Sequence, residues 1–355
     1  MEERRKRIKD CLKSIERAGL DALLVSNPYN IKYLTGFREA NGYLLISPKG
    51  VVYFTNFIYA QEAKKITLWE TEVVDYNLFE TIVKKIYALK INNLGFESKH
   101  LPFLEYKEFK KNLNMRGINF IKTIDLVENL RAVKTQEEIA LIKKAVDITL
   151  EGFKFAKELI DPAITERKLA LEVERFLRIK GDNEVAFSPV VGFGKNSAFP
   201  HHLPDYEILG GKRMFLIDLG AKYCGYCADL TRVFFLDKMP LSLKKIYDIV
   251  RGAKDLVLKK IRPGLKGKEI DRIARQFIEK KGKGKNFGHG LGHGVGLCVH
   301  EKPFLNPHSE EIVRENMVLT IEPAIYLTNR VGVRLESMVV VTSVGAEVLD
   351  GAFYQ

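Results

Sequence analysis

Residues 288–296 read Gly288-His289-Gly290-Leu291-Gly292-His293-Gly294-Val295-Gly296, and the pair His300-Glu301 follows shortly after them. Five of these nine residues are glycine, so the backbone here can pass close to a neighbouring group. The stretch never satisfies the G-x-G-x-x-G pattern of dinucleotide-binding loops, because Val295 and Leu297 occupy positions that need glycine. Its histidines instead favour a site that uses imidazole nitrogens.

Two aspartates lie upstream of this stretch, eleven residues apart, at Asp218 and Asp229. Asp218 follows the apolar run Met214–Ile217, which predicts a buried strand, and an unpaired buried carboxylate is costly. A tight turn centred on Tyr223-Cys224 would place the two aspartates directly opposite each other on antiparallel strands. Opposed side chains on one face have Cβ atoms roughly 4.5–5.5 Å apart.

Two glutamates lie downstream, fourteen residues apart, at Glu322 and Glu336. A three-residue loop at 328–330 would oppose them in the same way. Carboxylates held this close raise each other's pKa unless a cation lies between them. The four acids and an imidazole therefore predict a pair of divalent ions roughly 3.5–4 Å apart, of Mn, Co, Fe or Zn.

The composition excludes several classes of protein. The chain has 355 residues, of which 46% are hydrophobic and 29% charged, as in a globular protein of one large or two ordinary domains. No apolar run has the length of a membrane span, and the charged start Met1–Arg7 does not resemble a secretory signal. Four cysteines do not suggest a disulfide framework, so a cytoplasmic location is expected. Cys224 and Cys227 are interpreted as an incidental pair in a hairpin.

The formal net charge is +12, which permits attraction to anionic partners. Its densest patch contains Lys280, Lys281, Lys283 and Lys285, in a turn with glycine. No nucleic-acid-binding motif accompanies the patch, so a solvated loop is the favoured interpretation. Neither a nucleic acid nor a membrane is expected as a partner.

The first part of the chain alternates strand and helix patterns, which is typical of an α/β domain with a mixed sheet. Asn27–Asn30 is predicted to be a turn, and the isolated His100 to be a surface or packed residue rather than a ligand. The predicted elements are a helix over 3–18, strands at Ala22–Val25, Tyr43–Ile46 and Val51–Phe54, then a helix near 57–65, a strand near 72–75, a helix near 79–90 and a strand at 93–96.

The second part opens with Thr135 and Glu138, the spacing of a capping box, ahead of a long amphipathic helix. The other predicted elements are helices near 165–180, 241–261 and 267–281, a strand at 317–322 and a final hairpin from about 321 to 345. Two helices and a carboxylate hairpin thus occur twice, which indicates a weak internal duplication. The predicted domains are residues 1–126 and 127–355.

Six segments of the second domain resemble the metallopeptidase family of prolidase, aminopeptidase P and methionine aminopeptidase: Phe215–Gly220, Gly225–Arg232, Gly292–Gly296, Val299–Glu301, Ile321–Pro323 and Gly332–Glu336. The segment Asn27–Phe37 resembles the N-terminal domain of Xaa-Pro peptidases and creatinase. Methionine aminopeptidases generally lack that domain, which favours Xaa-Pro substrates. The resemblance implies an α/β (α+β) architecture, with a creatinase-like N-terminal domain followed by a pita-bread catalytic domain that carries the internal duplication.

The resemblance also implies a role for each matching residue of a two-metal site. Asp218, Asp229, His293, Glu322 and Glu336 would be the metal ligands. Asp229 and Glu336 would bridge both ions.

Further roles follow from the same resemblance. His201 matches a histidine that contacts the substrate and assists proton transfer. His300 matches one that steadies the scissile carbonyl and the tetrahedral intermediate, and His289 matches a histidine behind the pocket. Arg334 would orient the carboxylates.

Three positions depart from the family pattern. Cys298 stands where glutamate is common, and Ser337 stands where an aspartate commonly follows the last ligand. Phe304 stands where some dipeptidases carry an arginine for the substrate carboxylate, which argues against a strict dipeptidase.

These features predict a hydrolase, a metalloprotease of the prolidase (dipeptidase) or aminopeptidase P type. It would cut between an N-terminal residue and a following proline with a hydroxide that bridges the two metals, and Glu322 would take the proton of the attacking water. The resemblance implies a homodimer, and manganese is among the candidate metals.

Two alternatives are a metal-free hydrolase of the creatinase kind and a non-enzymatic binding scaffold of the same fold. Relatives of both kinds tend to lose ligands, whereas all five are present here.

Overall fold

The structure is a computed structural model that describes residues 2–37, 40–65, 68–74, 76–212, 214–236 and 238–351. The chain divides into two compact units, Met1–Arg131 and Ala132–Gln355. Each combines helices with sheets, so the predicted α/β class is confirmed. Within the described ranges, none of the helices is both long enough and apolar enough to span a membrane.

The first unit is built on a mixed sheet with the strand order β4-β3-β2-β1-β5-β6. Its strands are β1 (Ala22–Val25), β2 (Tyr43–Ser47), β3 (Gly50–Thr55), β4 (Glu70–Val73), β5 (Asn93–Glu97) and β6 (Asn119–Thr123). Its helices are α1 (Glu2–Arg17), α2 (Pro28–Thr35), α3 (Phe57–Ala63), α4 (Leu78–Ala88), α5 (Phe103–Asn114) and α6 (Glu128–Arg131). The elements predicted up to residue 96 are present, whereas α2, α5, β6 and α6 were not predicted. Asp75, predicted as the end of a strand, lies outside the described residues.

The prediction of a turn at Asn27–Asn30 is wrong, because this segment begins α2. The Asn27 side chain accepts a hydrogen bond from the Tyr29 backbone N–H at 3.0 Å, and so caps the helix. Pro28 occupies the first turn, where its missing N–H costs nothing. Asparagine and proline favour turns as well as helix starts. The helix forms here because it buries Ile31 and Leu34.

The second unit packs four long helices against its sheets. The helices are α7 (Gln136–Glu158), α8 (Glu166–Lys180), α9 (Leu241–Lys260) and α10 (Gly267–Lys280). The capping box is confirmed, since Glu138 N–H donates to Thr135 Oγ1 at 3.2 Å and Thr135 N–H donates to the Glu138 carboxylate at 2.8 Å. The buried side chains of α7, among them Ile142, Val146 and Phe153, recur at helical spacing and each contributes about 1.5–3 kcal/mol by burial.

The strands of this unit form small sheets. One has the order β11-β8-β7 and another the order β13-β12-β14-β17-β18, while β9 pairs with β10 and β15 with β16. The strands are β7 (Val190–Phe193), β8 (Met214–Leu219), β9 (Lys222–Tyr223), β10 (Tyr226–Cys227), β11 (Leu230–Phe235), β12 (Gly292–Gly294), β13 (Glu301–Leu305), β14 (Val318–Ile321), β15 (Ala324–Leu327), β16 (Val331–Arg334), β17 (Ser337–Val341) and β18 (Ala346–Val348). A 3₁₀ helix at Gly194–Ala198 follows β7 and another at Gly284–Asn286 follows α10.

Candidate metal centre

The two glutamates lie where the ladders β14–β17 and β15–β16 meet. The first ladder ends at the pair Ile321 and Ser337, and both ladders share one register. That register places Glu322 opposite Glu336. The three-residue loop at 328–330 is present as predicted, so the expected opposition of the two glutamates is confirmed.

The two aspartates are not directly opposed, so that prediction is wrong by two residues. The turn falls on Cys224 and Gly225, both of which have positive φ, as a two-residue hairpin turn requires. Asp218 therefore pairs with Thr231, while Asp229 lies just before β11. Because side chains alternate along a strand, a shift of two residues keeps Asp229 on the face of Asp218.

His293 lies on β12, the strand between β13 and β14, and its side chain extends towards the acids. A Cβ on Gly292 would lie 2.1 Å from the Thr320 carbonyl oxygen, and one on Gly294 would lie 2.1 Å from the Lys302 carbonyl oxygen. Only glycine fits at either position. The imidazole Nδ1 faces the Gly294 carbonyl at 3.1 Å, which leaves Nε2 to face the carboxylates.

The side chains from these separate strands converge at one point. His293 Nε2 lies 3.4 Å from Glu322 Oε1 and 3.6 Å from Asp229 Oδ2. Potential ligand atoms form three overlapping groups, within each of which they lie within 4.8 Å of one another: Asp218, Asp229 and Glu336; His293, Glu322 and Glu336; and Asp229, His293 and His300. Asp229 and Glu336 both belong to the group that contains Asp218, and each of them also belongs to a group that contains His293. The structure thus brings together all five residues predicted as ligands.

The closely spaced carboxylates of this cluster favour the binding of a cation. Burial and the charge of Glu336 raise the pKa of Asp229 well above its usual value, and burial and the charge of Glu322 do the same for Glu336. Burial raises the pKa of Glu322 to about 7. Burial and the neighbouring His300 lower the pKa of His293 to about 4, which keeps its imidazole neutral and able to bind a metal.

One oxygen atom supports the same conclusion. Asp218 Oδ1 is buried and has no hydrogen-bond partner among the described residues. A buried carboxylate oxygen without a donor is costly, and a divalent ion would satisfy it. The donor set of four carboxylates and one neutral imidazole therefore fits divalent metal ions.

Arg334 holds the cluster from behind. Its guanidinium pairs with Asp218 Oδ2 and donates to Thr231 Oγ1 at 2.8 Å and to the Tyr326 hydroxyl at 2.7 Å. The Thr231 hydroxyl donates in turn to Glu336 Oε2 at 2.7 Å. Thr231 and Tyr326 were not predicted, although Thr231 lies two residues after Asp229 and hence on its face of the strand.

A cavity of about 300 Å³ opens onto the cluster. Its walls include residues that bear rings or amides: Pro200, His201, His289, His300, Phe304 and Asn306. Burial lowers the pKa of His289 to about 4, and its Nε2 is buried with no hydrogen-bond partner among the described residues. His201 and His300 are exposed at the cavity, and burial together with His201 lowers the pKa of His300. The predicted site histidines all line this cavity, whereas Asn306 gave no signal in the sequence.

Comparison with known proteins identifies the family. Residues 140–343 match the metallopeptidase family M24. The chain belongs to this family. Residues 7–133 match the creatinase/prolidase N-terminal domain. Membership of the family makes the chain a metallopeptidase, and the expected resemblance in both domains is confirmed.

Full-length relatives within the family are similar to the chain over nearly all of its length. It is 32% identical to the Xaa-Pro dipeptidase of Pyrococcus horikoshii over 96% of this chain and 95% of that protein. The structure of the Xaa-Pro dipeptidase from Bacillus anthracis superposes with a TM-score of 0.94 at 33% identity, covering 99% of each chain. The X-Pro aminopeptidase from Thermotoga maritima superposes with a TM-score of 0.87 at 33% identity, over 95% of this chain and 97% of that one.

Proposed function

We propose that the chain is an Xaa-Pro peptidase that hydrolyses the bond between an N-terminal residue and a following proline. The observation that carries the proposal is the convergence of four acids and a neutral imidazole on a cavity lined by further histidines. The names of the similar dipeptidases and aminopeptidase support the same substrate class.

Asp218, Asp229, His293, Glu322 and Glu336 would hold two divalent ions. When bound, such ions lower the pKa of a water molecule to near neutrality and polarise a carbonyl group. Arg334 keeps Asp218 in place through a charge-assisted hydrogen bond, so this carboxylate stays oriented while substrate enters.

The other residues of the cavity supply proton transfer and stabilisation of charge. Glu322 accepts the proton of the attacking water as the water oxygen bonds to the carbonyl carbon. That proton then passes to the proline nitrogen as the C–N bond breaks. His300, exposed beside the cluster, donates to the developing oxyanion, and His201 assists the leaving side.

The test is hydrolysis of Ala-Pro and Ala-Pro-Ala by protein that has been stripped of metal and then supplied with Mn²⁺, Co²⁺ or Zn²⁺. We expect cleavage of both after metal is added, and none of Ala-Ala, which lacks proline. Activity on Ala-Pro-Ala that equals or exceeds that on Ala-Pro would agree with Phe304, an uncharged residue, at the wall of the cavity.

His293→Ala is the variant that probes the centre directly. It should lose metal and activity together, and a fully active His293→Ala protein would refute the mechanism. The homodimer, the cytoplasmic location and manganese as the native metal stay predictions from the sequence.

A further inference from the structure

A buried group of polar residues lies directly behind Glu336. Arg232 donates from one guanidinium nitrogen to the backbone oxygens of Thr231 and Glu336, at 3.0 and 2.5 Å. Its other terminal nitrogen donates to Asp350 Oδ2 at 2.5 Å. Arg232 and Asp350 are only 8% and 2% exposed, so this ion pair is shielded from water.

A second cation reaches the same carboxylate through a hydroxyl group. Lys254 Nζ donates to Ser337 Oγ at 2.9 Å, and the Ser337 hydroxyl donates to Asp350 Oδ2 at 3.1 Å. One oxygen of Asp350 therefore receives both the guanidinium of Arg232 and the hydroxyl next to Glu336. Burying the guanidinium of Arg232 is costly unless a carboxylate pairs with it, and Asp350 is placed to do this.

We propose that Asp350 is a positioning residue for the metal centre. Asp350 holds Arg232, and Arg232 fixes the backbone of Glu336, whose side chain is fixed separately by Thr231. The inference rests on the proposed function in that Glu336 is assigned as a metal ligand. Residues that orient a ligand in this way typically change metal affinity or activity by about 10–100-fold when they are altered.

The segment that carries Asp350 is held firmly enough for this role. Leu349 N–H donates to the Met338 backbone oxygen at 2.8 Å, which continues the pairing of β17 with β18 up to the residue before Asp350. Ser337 and Glu336 lie on the facing segment. The strand β18, which ends shortly before Asp350, thus places the Asp350 carboxylate beside Glu336.

The experiment titrates Mn²⁺ into the metal-free full-length protein by calorimetry and measures kcat and KM on Ala-Pro. Asp350→Asn keeps the shape of the side chain and removes its charge. We expect it to weaken Mn²⁺ binding by about 10–100-fold and to lower kcat, with little change in KM.

Exchange of the two side chains separates positioning from general loss of structure. Ser337→Asp combined with Asp350→Ser keeps one carboxylate and one hydroxyl between Arg232 and Lys254. This double variant should bind Mn²⁺ within about threefold of the wild type, whereas Asp350→Ser alone should lose about 10–100-fold. Glu347→Gln on β18 is the matched control, because its surface pairing with Lys143 does not involve the centre, and it should change neither quantity.

Each outcome decides the proposal. A folded Asp350→Asn protein with wild-type Mn²⁺ affinity and kcat would overturn it. If Asp350→Asn does not fold, the exchange variant decides, and either a failure to fold or a loss of more than about tenfold in its Mn²⁺ affinity overturns the proposal. Intact Mn²⁺ binding without Xaa-Pro hydrolysis by the wild type would count against the proposed function alone.

Discussion

Both units contain buried carboxylates, and these are held in opposite ways. In the first unit Glu97 accepts hydrogen bonds from the backbone N–H groups of Ser26 and Asn27, both at 2.7 Å, and from the Asn30 side chain at 2.5 Å. In the second unit Asp218, Asp229, Glu322 and Glu336 face one another, and Asp218 Oδ1 has no hydrogen-bond partner among the described residues.

The raised pKa alone does not distinguish the carboxylates of the two units. Burial raises the pKa of Glu97 to about 7, and burial raises that of Glu322 to the same value. The difference lies in the hydrogen-bond donors, because three N–H groups donate to the single carboxylate of Glu97, whereas the four acids of the second unit face one another and receive few donors. A buried carboxylate with donors is a structural element, and a group of carboxylates that share too few donors is a place for a cation.

The strongest test of this contrast is Glu336→Gln. The amide cannot serve as a shared anionic ligand, so we expect kcat to fall by about 10³-fold or more. Bound Mn²⁺ should decrease in parallel, as measured by elemental analysis. The metal-free variant should be at least as stable as the metal-free wild type, because one of several repelling carboxylates is gone. Retention of both ions and of full activity would break the contrast.

Glu97→Ala should behave in the opposite manner. It leaves the N–H groups of Ser26 and Asn27 without their acceptor and removes one of the two acceptors of the Asn30 amide, so the free energy of unfolding should fall by about 3 kcal/mol. Chemical denaturation measures this loss, and Mn²⁺ stoichiometry should not change. Glu108→Ala, at an exposed position of α5, is the control and should change stability by less than about 0.5 kcal/mol. A metal content that falls in folded Glu97→Ala protein would contradict the structural assignment.

The pH dependence of metal binding sharpens the comparison. In the metal-free protein burial raises the pKa of Glu322 to about 7 and also raises the pKa of Asp229 and of Glu336, so metal must displace protons from these carboxyls as it binds. Affinity for Mn²⁺ should therefore rise with pH between 5.5 and 7.5, by up to about tenfold per unit for each proton released. His293, with a pKa of about 4, is already neutral in this range and adds nothing.

Titrations of Mn²⁺ at several pH values, in buffers of different ionisation enthalpy, measure both the slope and the protons released. Glu97→Gln should leave the slope unchanged, since Glu97 binds no metal. A slope of zero across this range would show that the carboxylates are already ionised without metal.

The smallest effect is expected from Thr231→Val. This change keeps the shape of the side chain and removes the hydroxyl that links Arg334 to Glu336, so Mn²⁺ affinity should fall by about tenfold. Thr328→Val, in the exposed hairpin loop, is the matched control and should have no effect. An unchanged affinity in Thr231→Val protein would mean that Glu336 needs no support from that hydroxyl.

Much of the centre could be predicted from the sequence because its residues follow regular strands. The spacing of Glu322 and Glu336 predicts their register, and the structure bears it out. The spacing of Asp218 and Asp229 leaves the turn ambiguous, and the positive φ of Cys224 and Gly225, which shifts the pairing by two residues, has no clear sequence signal at cysteine. Because the pairing is shifted by an even number of residues, both aspartates still lie on one face of the sheet. They therefore converge as predicted.

Apart from the role of Arg334, the supporting contacts could not be predicted. Arg232 and Asp350 are 118 positions apart, and Asn30 and Glu97 are 67 apart. A single hydroxyl, amide or carboxylate has no periodicity that would reveal a distant partner. Their pairing depends on how whole strands pack, which local patterns of hydrophobicity do not determine.

The two close backbone approaches beside His293 have a consequence for how metal binds. Because Gly292 lies against the carbonyl of Thr320 and Gly294 against that of Lys302, the backbone of His293 has little freedom even before an ion binds. Little conformational entropy is then left to lose at this ligand when an ion arrives, which favours tight and rapid capture. Alanine in place of either glycine would displace a neighbouring strand and so weaken metal binding, although every ligand would still be present.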